Sequence, residues 1–291
     1  MNEIHEAHKT GIGGSSASVV WGCNPYRTAH DLYAACLGLA PETETTWEME
    51  NGNSFEPRIR AWYEAKTKRT GTHTGLIRSK DYPWMIAHLD WMSTDQWTKQ
   101  DLAATFAEFK IAGRYAAKEW GAPESCQVPL PYFLQGQHYS IVTGIKKWDL
   151  CVSICGDRPV IYPCEHDDDI AAELIRKERA FWHDNVLAKV PPPVDGSDSC
   201  RQLLTQIYQK SVTPIDFATG ETARLLNLFF DVRQNYQAEE LNIKELSNKV
   251  RAAIGEREGL KTDRGQVTWR ARRDGVRVFL AKEFEAEEEV A

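Results

Sequence analysis

The segments that decide the fold are Ala87-His88-Leu89-Asp90-Trp91 and, after a turn, Phe106-Ala107-Glu108-Phe109-Lys110. Side chains alternate between the two faces of a strand, so Glu108 and Lys110 point to the same side. If the two segments pair as a hairpin, Asp90 at the end of the first strand meets Glu108 on the second. Two carboxylates beside an ammonium suit a hard cation such as Mg²⁺, and the lysine could orient a water or stabilise developing charge. The pattern predicts metal-assisted phosphodiester hydrolysis, with a solvated Glu-x-Lys face as the plain alternative.

Length and composition are those of an ordinary globular protein: 291 residues, 42% hydrophobic and 26% charged. No apolar run approaches the roughly 20 residues of a membrane helix. The start, MNEIHEAHKTG, has no apolar signal core, so we expect a cytoplasmic protein with no membrane partner. The Cys count of 7, without framework spacing, predicts reduced thiols.

The net charge of -7 is unusual for a protein that binds nucleic acid, which normally shows a basic footprint. The conflict is smaller if the acidic residues gather in the metal site, on outer helices and in a tail. The run EFEAEEE, beginning at about Glu283, is such an acidic tail.

A glycine turn at Gly13-Gly14 precedes Ser15 and Ser16, and the following residues predict a helix. Either serine could cap that helix, or its N-terminus could bind a phosphate. Lys9 or Arg27 could assist a phosphate contact. Plain capping is an equal alternative on local grounds.

The segment from Glu48 to Lys66 predicts an amphipathic helix. Glu56 lies one residue off its apolar stripe. A salt bridge from Glu56 to Arg60 at i+4 is favoured over a turn of Glu56 into a metal site. The stripe consists of Phe55, Ile59, Trp62 and Tyr63.

A second predicted helix begins at Tyr132, because the prolines before it exclude an earlier start. Gln135 could bond a phosphate or remain polar surface, and we interpret His138 as a structural histidine. A hairpin over 148–164 and an amphipathic helix over 168–190 follow.

The triple proline Pro191–Pro193 predicts the domain boundary, giving domains 1–193 and 194–291. The second domain is predicted to be a helical hairpin with a small β unit. Its predicted helices are 200–210 and 218–254, and its predicted strands are 266–271 and 276–282.

Five ordered motifs together resemble the YqaJ-like viral recombinase family, which contains the phage-type alkaline exonucleases related to the lambda exonuclease within the PD-(D/E)xK nuclease superfamily. The resemblance covers about residues 10–190 and implies an α/β fold, with a central mixed β-sheet flanked by helices as in restriction endonucleases. The motifs are Gly13-Gly14-Ser15, Phe55-Glu56-Pro57, His88-Leu89-Asp90, Glu108-Phe109-Lys110 and Tyr132-x-x-Gln135-x-Gln137-His138-Tyr139.

The resemblance also implies an activity: 5′-to-3′ digestion of one strand of linear double-stranded DNA. The products would be 5′-phosphomononucleotides and a 3′ single-stranded overhang for recombination by strand annealing. Relatives use Mg²⁺ or Mn²⁺ at one or two ions per site, work with a single-strand annealing protein and form trimeric rings. An endonuclease or nicking enzyme of the same fold, and a non-catalytic DNA-binding recombination scaffold, are the alternatives.

By the family pattern, Asp90 and Glu108 are metal ligands, joined by the backbone carbonyl of Phe109. Glu56 lies near a second metal or its water. Lys110 orients or activates the nucleophile.

The resemblance gives Gln135 the task of positioning the scissile group and Ser15 that of contacting the terminal 5′-phosphate. Lys9 is a candidate for a further phosphate contact. Met49 could be an apolar wedge that splits the terminal base pair, with ordinary packing as the favoured alternative. The chain departs from the family at Trp91, because the family often has glycine after the first carboxylate.

Overall fold

A computed structural model describes residues 9–40, 46–94, 104–113, 116–210, 215 and 217–284, apart from the side chains of Glu48, Met49 and Asn53. The chain divides into two compact units, Met1–Ser211 and Val212–Ala291. Each unit is described by itself.

The first five strands of the first unit have two or three residues each, and the three that follow are longer. They are β1 (Ile12–Gly13), β2 (Gly71–Thr72), β3 (Ile77–Arg78), β4 (Met85–Ala87), β5 (Trp91–Ser93), β6 (Phe106–Ala112), β7 (Lys147–Ile154) and β8 (Val160–Glu165).

The helices of the first unit surround these strands. They are α1 (Ala17–Trp21), α2 (Ala29–Cys36), α3 (Trp47–Thr67), α4 (Leu130–Thr143), α5 (Asp168–Ala180) and α6 (Asp198–Ile207), with 3₁₀ turns at Gly14–Ser16 and Ala117–Glu119 and a π-helical turn at Phe181–Leu187.

The central sheet has five strands in the order β2-β5-β6-β7-β8. Strands β6 and β7 are parallel, and the other neighbours are antiparallel, so the sheet is mixed as expected. A parallel pair needs a crossover connection, and α4 lies in the chain between β6 and β7. A smaller sheet has the order β1-β4-β3.

Helices cover both faces of the central sheet, which confirms the predicted fold class. On one face, Ile59 and Tyr63 of α3 pack against Phe109. On the other face, Tyr139 of α4 packs against Phe106. Alternation along β6 therefore divides its aromatic side chains between two cores.

Two predicted elements differ from the structure at their ends. The strand expected to end at Asp90 is interrupted: β4 ends at Ala87 in the smaller sheet, and Asp90 directly precedes β5 in the central sheet. Helix α4 begins at Leu130, not at Tyr132, because a proline in the first turn of a helix costs no hydrogen bond.

The boundary between the units lies at Ser211, not at Pro193. Helix α6 belongs to the first unit, where Cys200 and Leu203 are buried. Leu203 packs into the same core as Leu32 of α2. The triple proline therefore connects two packed parts of one unit.

The second unit contains, among its described residues, α7 (Gly220–Ile254) and an antiparallel sheet in the order β11-β10-β9. Its strands are β9 (Gly259–Lys261), β10 (Gly265–Ala271) and β11 (Arg277–Glu283). The small β unit is as expected, but the predicted helical hairpin is wrong because α6 lies in the first unit. Of the acidic tail, residues 285–291 lie outside the described part.

Among the described residues, no helix has both the length and the apolar composition needed to cross a bilayer.

Candidate active site

Pairing of β5 with β6 brings the two predicted carboxylates together. Trp91 lies opposite Ala107, which places Asp90 beside Glu108. The backbone N–H of Phe109 donates to Oδ2 of Asp90 at 3.0 Å. The backbone N–H of Asp90 lies 3.5 Å from Oε1 of Glu108. The pairing expected from the sequence is thus present, although Asp90 directly precedes β5 and does not end the strand before it.

Glu108 is the most deeply buried carboxylate of this group, with 1% of the residue exposed. Its Oε2 accepts a hydrogen bond from Nζ of Lys110 at 2.9 Å and another from Nε2 of Gln135 at 2.9 Å. Gln135 also donates to Oη of Tyr139 at 3.2 Å. Residues from β6 and α4 therefore meet at one carboxylate oxygen.

The electrostatics of the site favour an added cation. Burial, and then the charge of Asp90, raise the pKa of Glu108 to about 8 in spite of Lys110. Burial opposes the charge of Lys110, but Glu108 and Asp90 outweigh it and the pKa of Lys110 is raised. Burial and Asp90 thus disfavour the ionised form of Glu108, and a divalent cation bound beside the two carboxylates would oppose both effects.

Glu56 on α3 faces the same site. Burial and then Asp90 raise the pKa of Glu56, while Lys110 lowers it. The expected salt bridge from Glu56 to Arg60 is wrong, because Arg60 Nε donates to Oε1 of Glu64 at 3.1 Å. The partner of Arg60 is therefore the glutamate one turn after it in α3, and not the one before it.

Trp91, the departure from the family pattern, is accommodated by its neighbours. Its Nε1 donates to Oε1 of Glu64 at 2.9 Å, and its ring lies edge-on to Tyr63 at 5.1 Å. Gly71 on β2 lies against the indole, and a Cβ at that position would be 2.0 Å from the ring. A glycine against the indole of Trp91 thus provides the space that the bulky residue needs.

The donor set fits a hard divalent cation. Asp90, Glu108 and Glu56 offer carboxylate oxygens, which is the ligand type that Mg²⁺ requires. The Phe109 peptide lies beside Asp90 through its N–H. The use of the Phe109 carbonyl as a ligand stays a prediction.

The glycine-serine turn lies against the helix that supplies Gln135. A Cβ on Gly14 would be 2.4 Å from the ring of Tyr139, so only glycine permits this approach. Ser15 is exposed in the adjoining 3₁₀ turn. Ser16 occupies the N-cap position of α1 but makes no side-chain capping bond, so the capping interpretation is wrong for Ser16.

Two further DNA contacts were predicted, at Lys9 and Met49. Lys9 is exposed, and its Cε lies 3.8 Å from where a Cβ on Gly38 would stand. The backbone of Met49 lies in α3, but its side chain lies outside the described residues. Both roles stay predictions.

His138 is a structural histidine, as predicted. It is fully buried, with Nδ1 2.8 Å from Oε1 of Glu178 and Nε2 2.9 Å from the carbonyl oxygen of Ile86. Both ring nitrogens are therefore satisfied away from Glu108.

The sequence did not predict the hydrogen bonds by which three further residues, Tyr139, Tyr63 and Asp149, support the site. Tyr139 holds Gln135, and its position four residues after Gln135 in one helix was a usable signal. Tyr63 donates to Oδ2 of Asp149 at 2.5 Å, which ties α3 to β7. Their separation along the chain left no local signal for this second contact.

Residues 3–146 match the family described as the YqaJ-like viral recombinase domain. The uncharacterized protein YqaJ of Bacillus subtilis is 26% identical over 249 residues, covering 84% of this chain and 75% of that protein.

Solved structures with a similar fold include LHK-Exo, an alkaline exonuclease from Laribacter hongkongensis. Its complex with dAMP superposes with a TM-score of 0.53 at 20% identity, covering 65% of this chain and 94% of that chain. A further structure of LHK-Exo gives a TM-score of 0.52 with the same identity and coverage.

Proposed function

Because the chain carries a YqaJ-like viral recombinase domain and belongs to that family, we propose that it is a metal-dependent exonuclease acting on linear double-stranded DNA. It would digest one strand in the 5′-to-3′ direction, release 5′-phosphomononucleotides and leave a 3′ overhang for strand annealing. The observation that carries the proposal is the buried Glu108 carboxylate, held by Lys110 and Gln135 beside Asp90.

Asp90, Glu108, Glu56 and the Phe109 carbonyl would hold one or two Mg²⁺ ions, with Mn²⁺ as a substitute. Bound at these oxygens, the metal would supply Lewis-acid polarisation of the phosphodiester and a lowered pKa for the attacking water. The N–H of Phe109 fixes the Asp90 carboxylate, and Gln135 fixes that of Glu108.

Lys110 would act as a charged group rather than as a base. Its neighbours raise its pKa, so its ammonium keeps its proton at neutral pH. In that form Lys110 can orient the water and stabilise charge that develops on the phosphate. Gln135, whose amide already points into the site, would position the scissile group.

The proposal also covers the residues that would contact the DNA end, the oligomeric state and the partner protein. Ser15 would contact the terminal 5′-phosphate, with Lys9 as a further contact and Met49 as a strand wedge. The working form would be a trimeric ring in the bacterial cytoplasm, acting with a single-strand annealing protein.

A digestion assay tests the proposal directly. The substrate is linear duplex DNA with a 5′-phosphate on one strand and a 5′-hydroxyl on the other, incubated with Mg²⁺ or with EDTA beside a covalently closed circle. We expect Mg²⁺-dependent loss of the phosphorylated strand, mononucleotide products and an intact circle.

The matched control uses an exposed pair on the same sheet. Nζ of Lys147 lies 2.8 Å from Oε1 of Glu165, and both side chains are exposed. Lys110→Ala should abolish digestion, whereas Lys147→Ala should leave it unchanged. Cutting of the circle would replace the exonuclease by an endonuclease, and DNA binding without any cutting would replace it by a scaffold.

A further inference from the structure

Three side chains suited to a transition metal meet within the first unit at a place that the nuclease proposal does not use. They are His30 on α2, Asp195 after the triple proline and Cys200 on α6. One ligand atom from each lies within 4.8 Å of the other two. We propose that these residues bind Zn²⁺.

His30 is the observation that points to a ligand. Only 3% of the residue is exposed, and within the described part of the chain neither ring nitrogen has a hydrogen-bond partner. Its Nδ1 lies 3.6 Å from Oδ2 of Asp195, which is too long for a hydrogen bond. A buried imidazole without partners costs free energy, and a metal bound at Nδ1 would remove that cost for one nitrogen.

The carboxylate of Asp195 is already oriented for this task. Its Oδ1 accepts hydrogen bonds from the backbone N–H of Ser197 at 2.9 Å and from the Ser197 hydroxyl at 2.6 Å. The other oxygen, Oδ2, faces His30. Ser197 thus orients the Asp195 carboxylate by hydrogen bonds, as the groups that support metal ligands commonly do.

Cys200 is held by the same serine. Its backbone N–H donates to the Ser197 hydroxyl at 3.1 Å, which caps α6 and places the thiol in the first turn of that helix. The thiol is buried, with 1% of the residue exposed. Two of the three ligands are therefore fixed by one capping residue.

The ligand types select the metal. Thiolate and imidazole suit a borderline-soft ion such as Zn²⁺, whereas Mg²⁺ prefers oxygen alone. A cavity of about 500 Å³ adjoins Asp195 and Cys200 and offers a path for the ion and for a fourth ligand from solvent. The bound ion would fasten α6 and the Asp195 turn to α2.

Metal binding to the full chain tests this inference independently of nuclease activity. The protein is dialysed with excess Mg²⁺, which occupies oxygen-only sites, and titrated with Zn²⁺ or Co²⁺. We expect about one Zn²⁺ per chain, and with Co²⁺ the near-ultraviolet charge-transfer absorption of a thiolate ligand. A chelator should lower the thermal unfolding temperature of the zinc-loaded protein.

Three variants show whether these residues are the ligands. Cys200→Ser should remove the charge-transfer absorption, and Asp195→Asn should weaken Zn²⁺ binding at least about tenfold. The asparagine side chain would keep an oxygen for the Ser197 bonds, so the Asp195→Asn variant should fold normally. Cys36→Ser, at another buried cysteine outside the cluster, is the matched control and should bind as the wild type does.

Two results would overturn the inference. One is the absence of thiolate absorption in the wild-type cobalt protein. The other is equal Zn²⁺ affinity in the wild type, Cys200→Ser and Asp195→Asn.

Discussion

Two polar side chains of helix α4, one turn apart, contact two different pairs of acidic and basic side chains. Gln135 reaches the pair Glu108–Lys110, and His138 forms a pair with Glu178. The N–O distances are almost equal, 2.9 Å and 2.8 Å.

The two pairs differ in their access to solvent. Both side chains of the His138–Glu178 pair are fully buried, whereas 21% of the Lys110 side chain is exposed. The sealed pair can only hold α4 against α5, because nothing can reach it. The open pair lies beside a further carboxylate, that of Asp90, and its lysine is in contact with solvent, so a substrate and a metal can reach it. Access to solvent, rather than the N–O distance, separates the proposed functional pair from the structural one.

The largest expected effect comes from breaking the sealed pair. Glu178→Ala leaves His138 buried without its partner and should lower the free energy of unfolding by about 3–5 kcal/mol. Urea unfolding followed by tryptophan fluorescence measures this change. The signal reports mainly on the first unit, because Trp269 is the single tryptophan of the second unit.

The double variant His138→Leu/Glu178→Leu is the control for this prediction. Replacing both charges by apolar groups should recover much of the lost stability. If Glu178→Ala unfolds at the wild-type urea concentration, the pair does not have the structural role given to it here.

A somewhat smaller effect, on activity instead of stability, is expected at the open pair. Glu108→Gln should reduce DNA digestion about a hundredfold to a thousandfold. It should not lower stability, because it removes a carboxylate that burial and Asp90 disfavour. Initial rates and urea midpoints, measured on the same preparation, check both statements.

Glu165→Gln is the matched control, since Glu165 is an exposed carboxylate at the end of β8 in the same sheet. Its activity should equal that of the wild type. Equal losses in Glu108→Gln and Glu165→Gln would show that the assay reports sheet stability and not chemistry.

Gln135 should have an intermediate effect because it acts on Glu108 from α4. Gln135→Ala should lower the digestion rate about tenfold to a hundredfold, in the range seen when groups that support metal ligands are removed. Gln137→Ala is the comparison on the same helix: Gln137 bonds the backbone of Glu165 and Asp167. Gln137→Ala should lower the free energy of unfolding and leave the digestion rate of the folded protein unchanged. A lower digestion rate in Gln137→Ala than in Gln135→Ala would contradict these assignments.

The smallest expected effect is a dependence of metal affinity on pH. The pKa of Glu108 is raised to about 8 without metal, so a proton competes with Mg²⁺ below that pH. The apparent affinity should rise with pH, by up to about tenfold per unit, and level off above about pH 8. Calorimetry in buffers of different ionisation enthalpy measures the released proton, and a flat profile from pH 6 to 8 would oppose the prediction.

Local sequence patterns predicted the parts of the site that depend on alternation along one strand. Glu108 and Lys110 share a face because they are two residues apart on β6, and they are in contact. The i+4 rule was less informative on α3, because Arg60 has a glutamate one turn away on either side. Contacts elsewhere in the fold selected Glu64: its Oε1 also accepts from Trp91.

Partners distant in the sequence were not predictable from any pattern. Glu178 meets His138, and Asp149 meets Tyr63, only because the helices pack on particular faces of the sheet. The triple proline was interpreted as a boundary because prolines often begin linkers. Burial of Leu203 against α2 places the following helix in the first unit.

The parallel pairing of β6 with β7 has a consequence for the order in which the protein folds during synthesis. Parallel neighbours pair only after the chain between them has been made and has crossed the sheet, and such long-range closure is slow. A nascent chain that has emerged only to residue 112 contains Asp90, Glu108 and Lys110, together with β5, but it lacks both Gln135 and β7, the parallel neighbour of β6. Nuclease competence should therefore appear late, after β7 leaves the ribosome.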